Sequence, residues 1–326
     1  MDKSTTAHLA RWPKHIPPQR YGGGGLQWTI ERLALNDRHA VVDLYEAVLG
    51  LVGLQDWTVA DRAASFRSLE AWMLETSWNQ LRRDVAAVGP DTYAEFGSNS
   101  TLRKVVHDMR GGPMTSLALD LSLVSLGRLD DVDPTRVFLL ARDVCKIMRN
   151  SFPDIDRDKY KADMALKSHS VRLLVDKWRR LESDVDVLCE YDGAIAESCI
   201  EFSALDRVLY NCMNNAIREL DGKGQRVSLS MHTDSQDPPQ HLRVVVSNPI
   251  STDQSQELKH KFAGDYSPLF TTNYSTTGSG IGLQVVADFA SRAYAWSTQK
   301  ALEEKLLGVD VSEDCFKLWF HWPVAD

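Results

Sequence analysis

Three alternating glycines, Gly278, Gly280 and Gly282, close the polar run that starts at Leu269 and open an apolar stretch beginning Ile281-Gly282-Leu283. Glycines so spaced let a backbone come close to an anion with no Cβ in the way. The helix that follows turns free N–H groups and a positive dipole end toward the same place. Phosphate is the natural occupant, although the pattern alone fits a hairpin running into a helix equally well. A second stretch, Leu205 to Glu219, carries Leu205, Val208, Leu209, Met213 and Ala216 as one apolar helical stripe. Asn211 and Asn215 then fall one turn apart on a shared face, with Arg218 close by to meet a phosphate. Asparagine is a poor helix former, so two on one face of an otherwise good helix imply a task, such as pointing two amide oxygens at one ion. The alternative is that both lie on the solvated side.

His107 is the third candidate. It sits in Val105-Val106-His107-Asp108-Met109-Arg110 among apolar residues at helical spacing: Leu102, Val106, Met109, Leu117, Leu121 and Val124. Ser100 or Thr101 is the expected N-cap. Gly111, Gly112 and Pro113 disfavour a helix interior, by about 1 kcal/mol for each glycine and about 3 for proline, so a bend is expected between Met109 and Pro113. Gly127 and the acidic run to Asp133 make a turn. Asp133-Pro134 then starts a second helix, with Val137, Leu140, Val144 and Ile147 as its stripe. An antiparallel hairpin results. One hairpin cannot bury its own seam, so the sequence predicts that two copies pair as a four-helix bundle.

The elements around these residues follow from period and breakers. Residues 1–25, with Pro13, Pro17, Pro18 and Gly22 to Gly25, read as a mobile tail. Residues 26–95 read as two or three amphipathic helices of unassigned role, their Trp and Met stripe belonging to a core. Residues 96–168 hold the hairpin and a charged linker, and 169–326 form a C-terminal domain. In that domain a helix is predicted over Val171 to Leu181, strands over Arg226 to Thr233 and Leu242 to Ser247, a helix over Gly282 to Ala295, and a last strand through Phe316, Leu318, Phe320 and Trp322. The fold class is α+β, with a helical N-terminal region, a dimeric helical hairpin and a C-terminal α/β sandwich.

Composition narrows the function. A formal net charge of -8 leaves no basic stripe to replace nucleic-acid counterions. No apolar run reaches the roughly 18 residues of a membrane span, and no signal-peptide core is evident. The five cysteines lack a CxxC pair and read as reduced packing residues, which makes a cytoplasmic chain with no membrane or nucleic-acid partner the expectation.

Together the asparagine helix and the glycine loop resemble the ATP-binding domain of the GHKL superfamily, over about Val185 to Pro323. The resemblance implies ATP with Mg²⁺ held through Asn211 and Asn215. Arg218, Thr271, Thr272, Gly278, Gly280, Ile281, Gly282 and Leu283 would surround the nucleotide, and the loop before the glycines would be its lid. A hairpin bearing His-Asp-x-Arg ahead of such a domain is similar to the dimerisation and histidine-phosphotransfer domain of sensor histidine kinases. This implies a homodimer that autophosphorylates His107 from ATP, with Asp108 orienting the ring and taking its proton. The phosphoryl group would then pass to an aspartate of a response-regulator receiver domain. Two features depart from the family. Proline follows the histidine by six residues instead of five, and the adenine-binding aspartate is absent from Val244-Val245-Val246-Ser247-Asn248-Pro249-Ile250, where Asn248 is the substitute. The altered stretch around Asn248 leaves open a histidine phosphotransferase with a degenerate ATP domain; a GHKL anti-sigma-like serine kinase or binding protein is a third reading, which the histidine hairpin opposes.

Overall fold

Asp133 and Pro134 do what their types dictate. Asp133 accepts from Thr135 N at 2.9 Å and Pro134 is the first residue of an 18-residue helix. The computed structural model describes residues 12–13, 26–54, 62–97, 99–181, 184–220, 224–272, 274 and 280–324, in which two compact units form. The helical unit lies within residues 23–165 and includes Leu209–Asn211; the sheet unit takes Trp12, Pro13 and the described parts of 166–208 and 212–324. Among the described residues no helix is long and apolar enough to cross a membrane, and no cluster of His, Cys, Asp and Glu could hold a metal.

The helical unit comprises α1 (Leu35–Gly53), α2 (Arg62–Glu75), α3 (Trp78–Ala87), α4 (Pro90–Phe96), α5 (Ser100–Arg110), α6 (Pro113–Ser125), α7 (Pro134–Ser151) and α8 (Arg157–Asp163). Helices α5, α6 and α7 are the expected hairpin, and its seam residues from Leu102 to Ile147 are all buried. They are buried without a second copy. Helix α1 packs along α7, and α2 against α6 and α7, so Val41, Leu44, Val48 and Leu51 supply the layer the sequence reading assigned to a second chain. The seam is therefore no longer a reason for pairing. Trp72 and Trp78 belong to the core as expected, with rings 5.3 Å apart and the Trp72 indole donating to Ala47 O at 3.0 Å.

The sheet unit pairs β1 (Leu166–Ser170) with β3 (Ala194–Ser198), and builds a five-stranded sheet in the order β2 (Val185–Cys189), β4 (Val227–Thr233), β5 (His241–Pro249), β7 (Cys315–Pro323), β6 (Leu307–Val311). Strands β2 and β4 run parallel and the other neighbours antiparallel. The helices are α9 (Val171–Leu181), α10 (Cys199–Arg218), α11 (Thr252–Phe262), α12 (Pro268–Thr271), α13 (Gly282–Arg292) and α14 (Thr298–Glu303). Alternation sends Leu242, Val244, Val246, Leu318, Phe320 and Trp322 into the core.

The opposite face carries Arg243 and His321, directly paired across β5 and β7 and both buried. Trp12 covers them, its ring 4.1 Å from the guanidinium and 5.5 Å from the imidazole, and Pro13 is buried. These two residues of the expected mobile tail are thus seated, because a desolvated cation gains from an aromatic face; the rest of 1–25 lies outside the described residues. His321 Nδ1 bonds Leu306 O at 2.8 Å, and its Nε2 accepts from Arg243 Nε at 3.0 Å. Burial, reinforced by the Arg243 charge, pushes the imidazole down to about 3. The unfolded chain then binds a proton that the folded one refuses. The neutral ring's contribution is complete above the unfolded value near 6.5 and is lost as the pH falls toward 3. At pH 5 the wild type is expected to have lost about 2 kcal/mol of stability through this residue relative to pH 8. Unfolding of wild type and His321→Gln across that range checks it, the variant showing the shallower decline.

Candidate functional site

Helix α10 begins on a capping box. Ser198 Oγ accepts from Glu201 N at 3.3 Å, and Glu201 Oε2 accepts from Ser198 N at 3.0 Å. That start fixes the face the helix buries, on which Leu205, Val208, Leu209, Met213 and Ala216 are closed to solvent. Asn211 and Asn215 lie on the flank, both half-buried and one turn apart. Arg218, which is exposed, donates from Nη2 to Asn215 Oδ1 at 3.1 Å, so the structure brings those two together. The guanidinium of Arg207, two turns earlier on α10, lies 4.5 Å from the Phe289 ring and ties this helix to α13.

Gly280 has φ of 70°, a conformation that only glycine adopts without strain. Ile281 follows as an N-cap without a side-chain bond, and the first helical bond of α13 runs from Val285 N to Ile281 O. The N–H groups of Gly282 and Leu283 are therefore not used within the helix. This is the helix end to which the sequence reading assigns phosphate; Gly278 lies outside the described residues. The upstream part of the loop is more ordered than expected, since Pro268–Thr271 is a helical turn with Leu269 and Phe270 buried. Thr271 and Thr272 are exposed, and their hydroxyls donate back to Ser267 O at 3.5 Å and Pro268 O at 2.8 Å.

Asn248 departs from the reading that ends its strand at Ser247. Strand β5 continues to Pro249 in register with β7, Asn248 opposite Phe316, and the asparagine is buried with Nδ2 donating to Pro249 O at 3.2 Å. Proline is tolerated as the last residue because the ladder asks no N–H of it there. Helix α11, unforeseen from periodicity, follows at once. Its signal was present as Ser251-x-x-Gln254, a capping box in the structure. The end of α11 holds Tyr274 of the loop: the Phe262 and Tyr274 rings meet edge-on at 5.1 Å, and Lys261 Nζ sits 4.1 Å from the Tyr274 ring.

In the helical unit His107 is half-buried on α5, with Nδ1 shielded from solvent. The cap is Asn99 rather than Ser100 or Thr101; its Oδ1 accepts from Thr101 N at 2.8 Å and Leu102 N at 3.3 Å. The expected bend is a break. Helix α5 stops at Arg110, Gly111 N bonds His107 O at 2.9 Å, and Gly112 turns the chain with φ of 51° before Pro113 opens α6. Asp108, buried beside His107 in sequence, accepts from Asn211 Nδ2 at 3.1 Å. Successive residues on a helix point about 100° apart, so Asp108 and His107 face different ways. Tyr210, to which the sequence reading gave no role, donates to the buried Asp143 at 2.9 Å. Arg110 of the His-Asp-x-Arg run is structural, its Nε donating to Val85 O at 3.0 Å. Gly112→Ala is expected to cost about 1–3 kcal/mol, through its positive φ and a Cβ only 3.1 Å from the Tyr210 Cβ. Chemical unfolding measures it, and a loss under about 0.5 kcal/mol would mean that the turn relaxes.

No family model and no curated protein matches the chain. The solved structures to which it is similar include histidine kinases. The mycobacterial sensor histidine kinase MprB aligns with 49% of this chain and 98% of its own, at 18% identity and a TM-score of 0.32. A histidine kinase from Burkholderia phymatum STM815 aligns with 70% of this chain and all of its own, at 14% identity and a TM-score of 0.33. The catalytic domain of the histidine kinase ThkA aligns with 48% of this chain and 89% of its own, at 19% identity and a TM-score of 0.28. Likeness this low leaves the chemistry to the chain's own residues.

The residues fit a nucleotide with its metal in kind. Two neutral amide oxygens on one helix suit Mg²⁺, a hard cation that keeps much of its water and is held largely through phosphates. The Gly280 turn and the N–H groups of Gly282 and Leu283 suit the phosphates themselves.

Proposed function

We propose that this chain is a cytoplasmic histidine protein kinase of a two-component system. The observation that carries the reading is the contact between α10 and α13, where the Arg207 guanidinium lies 4.5 Å from the Phe289 ring. It ties the helix of the asparagines to the helix with the glycine-led N-terminus. ATP with Mg²⁺ supplies the transferable γ-phosphoryl group and neutralises its charge. Asn211 and Asn215 hold the metal, Arg218 and the amides of Gly280 to Leu283 meet the phosphates, Thr271 and Thr272 flank them, and Asn248 offers its amide to adenine. Such catalysis is positioning and charge neutralisation. The imidazole of His107 is the acceptor, an aspartate of a receiver domain the next one. Asp108 is assigned to holding the Asn211 amide in place of taking the histidine proton, since its carboxylate already accepts from that amide. Pairing of two copies finds its support in α6, where Leu119 and, at the end of the helix, Leu126 are seven residues apart and exposed by 58% and 73%.

Incubation with γ-labelled ATP and Mg²⁺ tests this. Label stable to base and lost in acid, the mark of a phosphoramidate, is the expected result. ATP binding without label would leave the phosphotransferase or binding-protein reading instead.

A further inference from the structure

Residues 26–95 carry no recognisable chemistry, but the structure gives the first part of them, residues 26–54, work. Among the described residues, four hydrogen bonds run from this region to the stretch that leaves the hairpin. Trp28 N donates to Ser151 O at 2.8 Å, Ile30 N to Asp154 Oδ1 at 3.1 Å, Gln27 Nε2 to Tyr160 Oη at 3.1 Å, and Tyr45 Oη to Asp156 Oδ2 at 2.9 Å. The Tyr45 hydroxyl also accepts from Arg149 Nη1 at 3.4 Å, while Arg149 Nε donates to Asp163 Oδ2 at 2.7 Å. Tyr45 and Arg149 are both buried. One phenol hydroxyl on α1 thus joins Arg149 of α7 to the N-cap of α8, while Arg149 itself holds Asp163 at the other end of that helix. Burial raises the Tyr45 pKa and keeps the hydroxyl a donor. Arg149 is raised as well, because its bonds to Asp163 and Tyr45 outweigh the burial that opposes its charge.

Helix α8 has seven residues. A helix that short does not hold itself in water, so its order depends on these bonds. Only Met164 and Ala165 separate it from Leu166, where the sheet unit begins. We propose that residues 26–54 are a clamp on residues 152–163, with Tyr45 as the positioning residue. Loosening the clamp lowers the turnover of phosphoryl transfer without changing nucleotide affinity, an inference that rests on the histidine-kinase reading. The chemistry of the linker makes the clamp adjustable. The Asp154 and Asp156 carboxylates are its handles on the linker side, and any ligand or partner that shifts Ile30 or α1 alters the bonds they accept.

The test uses the full chain with Tyr45→Phe, which keeps the buried ring and deletes only the hydroxyl, and Tyr160→Phe, which deletes only the Gln27 bond. Amide exchange over residues 157–163 is expected to rise roughly tenfold in Tyr45→Phe and less in Tyr160→Phe, while residues 137–148 of α7 exchange as in wild type. With γ-labelled ATP, kcat for label incorporation should fall in the same order with KM for ATP unchanged. Unaltered exchange over 157–163 overturns the clamp. So does altered exchange with unaltered kcat in a wild type that takes label. A wild type that takes no label overturns instead the kinase reading and the clamp's kinetic role, and the exchange result still decides whether the clamp exists.

Discussion

Replacing His107 with glutamine is expected to reduce label incorporation from γ-labelled ATP by about 10³-fold or more, to the limit of detection, because the nucleophile itself is removed. Glutamine is a good helix former of similar length, so α5, its Asn99 cap and the buried neighbours Val106 and Asp108 should keep their places. Calorimetric affinity for ATP should be that of wild type. Asn215→Ala is expected to do the converse. It removes an amide oxygen from the α10 flank and frees Arg218 from its bond, so binding and label should fall together. This contrast separates acceptor from donor site, which a single loss of activity cannot do. Label retained by His107→Gln on a serine or aspartate would sink the reading and favour a serine kinase.

Much of this site was legible because its elements obey simple periods. The stripe from Leu205 to Ala216 placed the asparagines, Val171 to Leu181 were bounded correctly, and the glycines marked the start of α13 to within a residue. What local pattern cannot carry is which element covers which. The stripes of α5, α6 and α7 read the same whether a second copy or α1 covers them, and only the tertiary structure decides in favour of α1. Buried charges were illegible for the same reason. Arg243, Arg207 and Lys177 resemble surface residues by type, since such residues are almost never fully buried unless partnered. Yet Trp12 covers the first, Phe289 meets the second and Asp206 neutralises the third. Asn248 was misplaced because an Asn-Pro pair signals a turn, whereas the ladder with β7 runs on through the pair to Pro249, two residues past the expected strand end at Ser247.

The pair Lys177–Asp206 yields the largest stability effect expected in the sheet unit. Lys177 Nζ on α9 lies 2.8 Å from Asp206 Oδ2 on α10, with side-chain exposures of 4% and 5%. Solvent screening is negligible at such burial, so removing one partner leaves a charge desolvated and uncompensated. Lys177→Met keeps most of the aliphatic stem that packs between the helices but strands the carboxylate, and should cost about 3–5 kcal/mol. Asp206→Leu should cost as much by stranding the ammonium. The double variant should be far milder than the sum, because two apolar side chains replace a pair whose attraction mainly repaid its own desolvation. A coupling of about 3 kcal/mol or more is therefore expected from the cycle. Hydrogen exchange in α9 and α10 under increasing urea is the suitable measure, since a chain of two units need not unfold in one step. If either single variant costs less than about 1 kcal/mol, water reaches the pair, and α10 is then held by its apolar face alone.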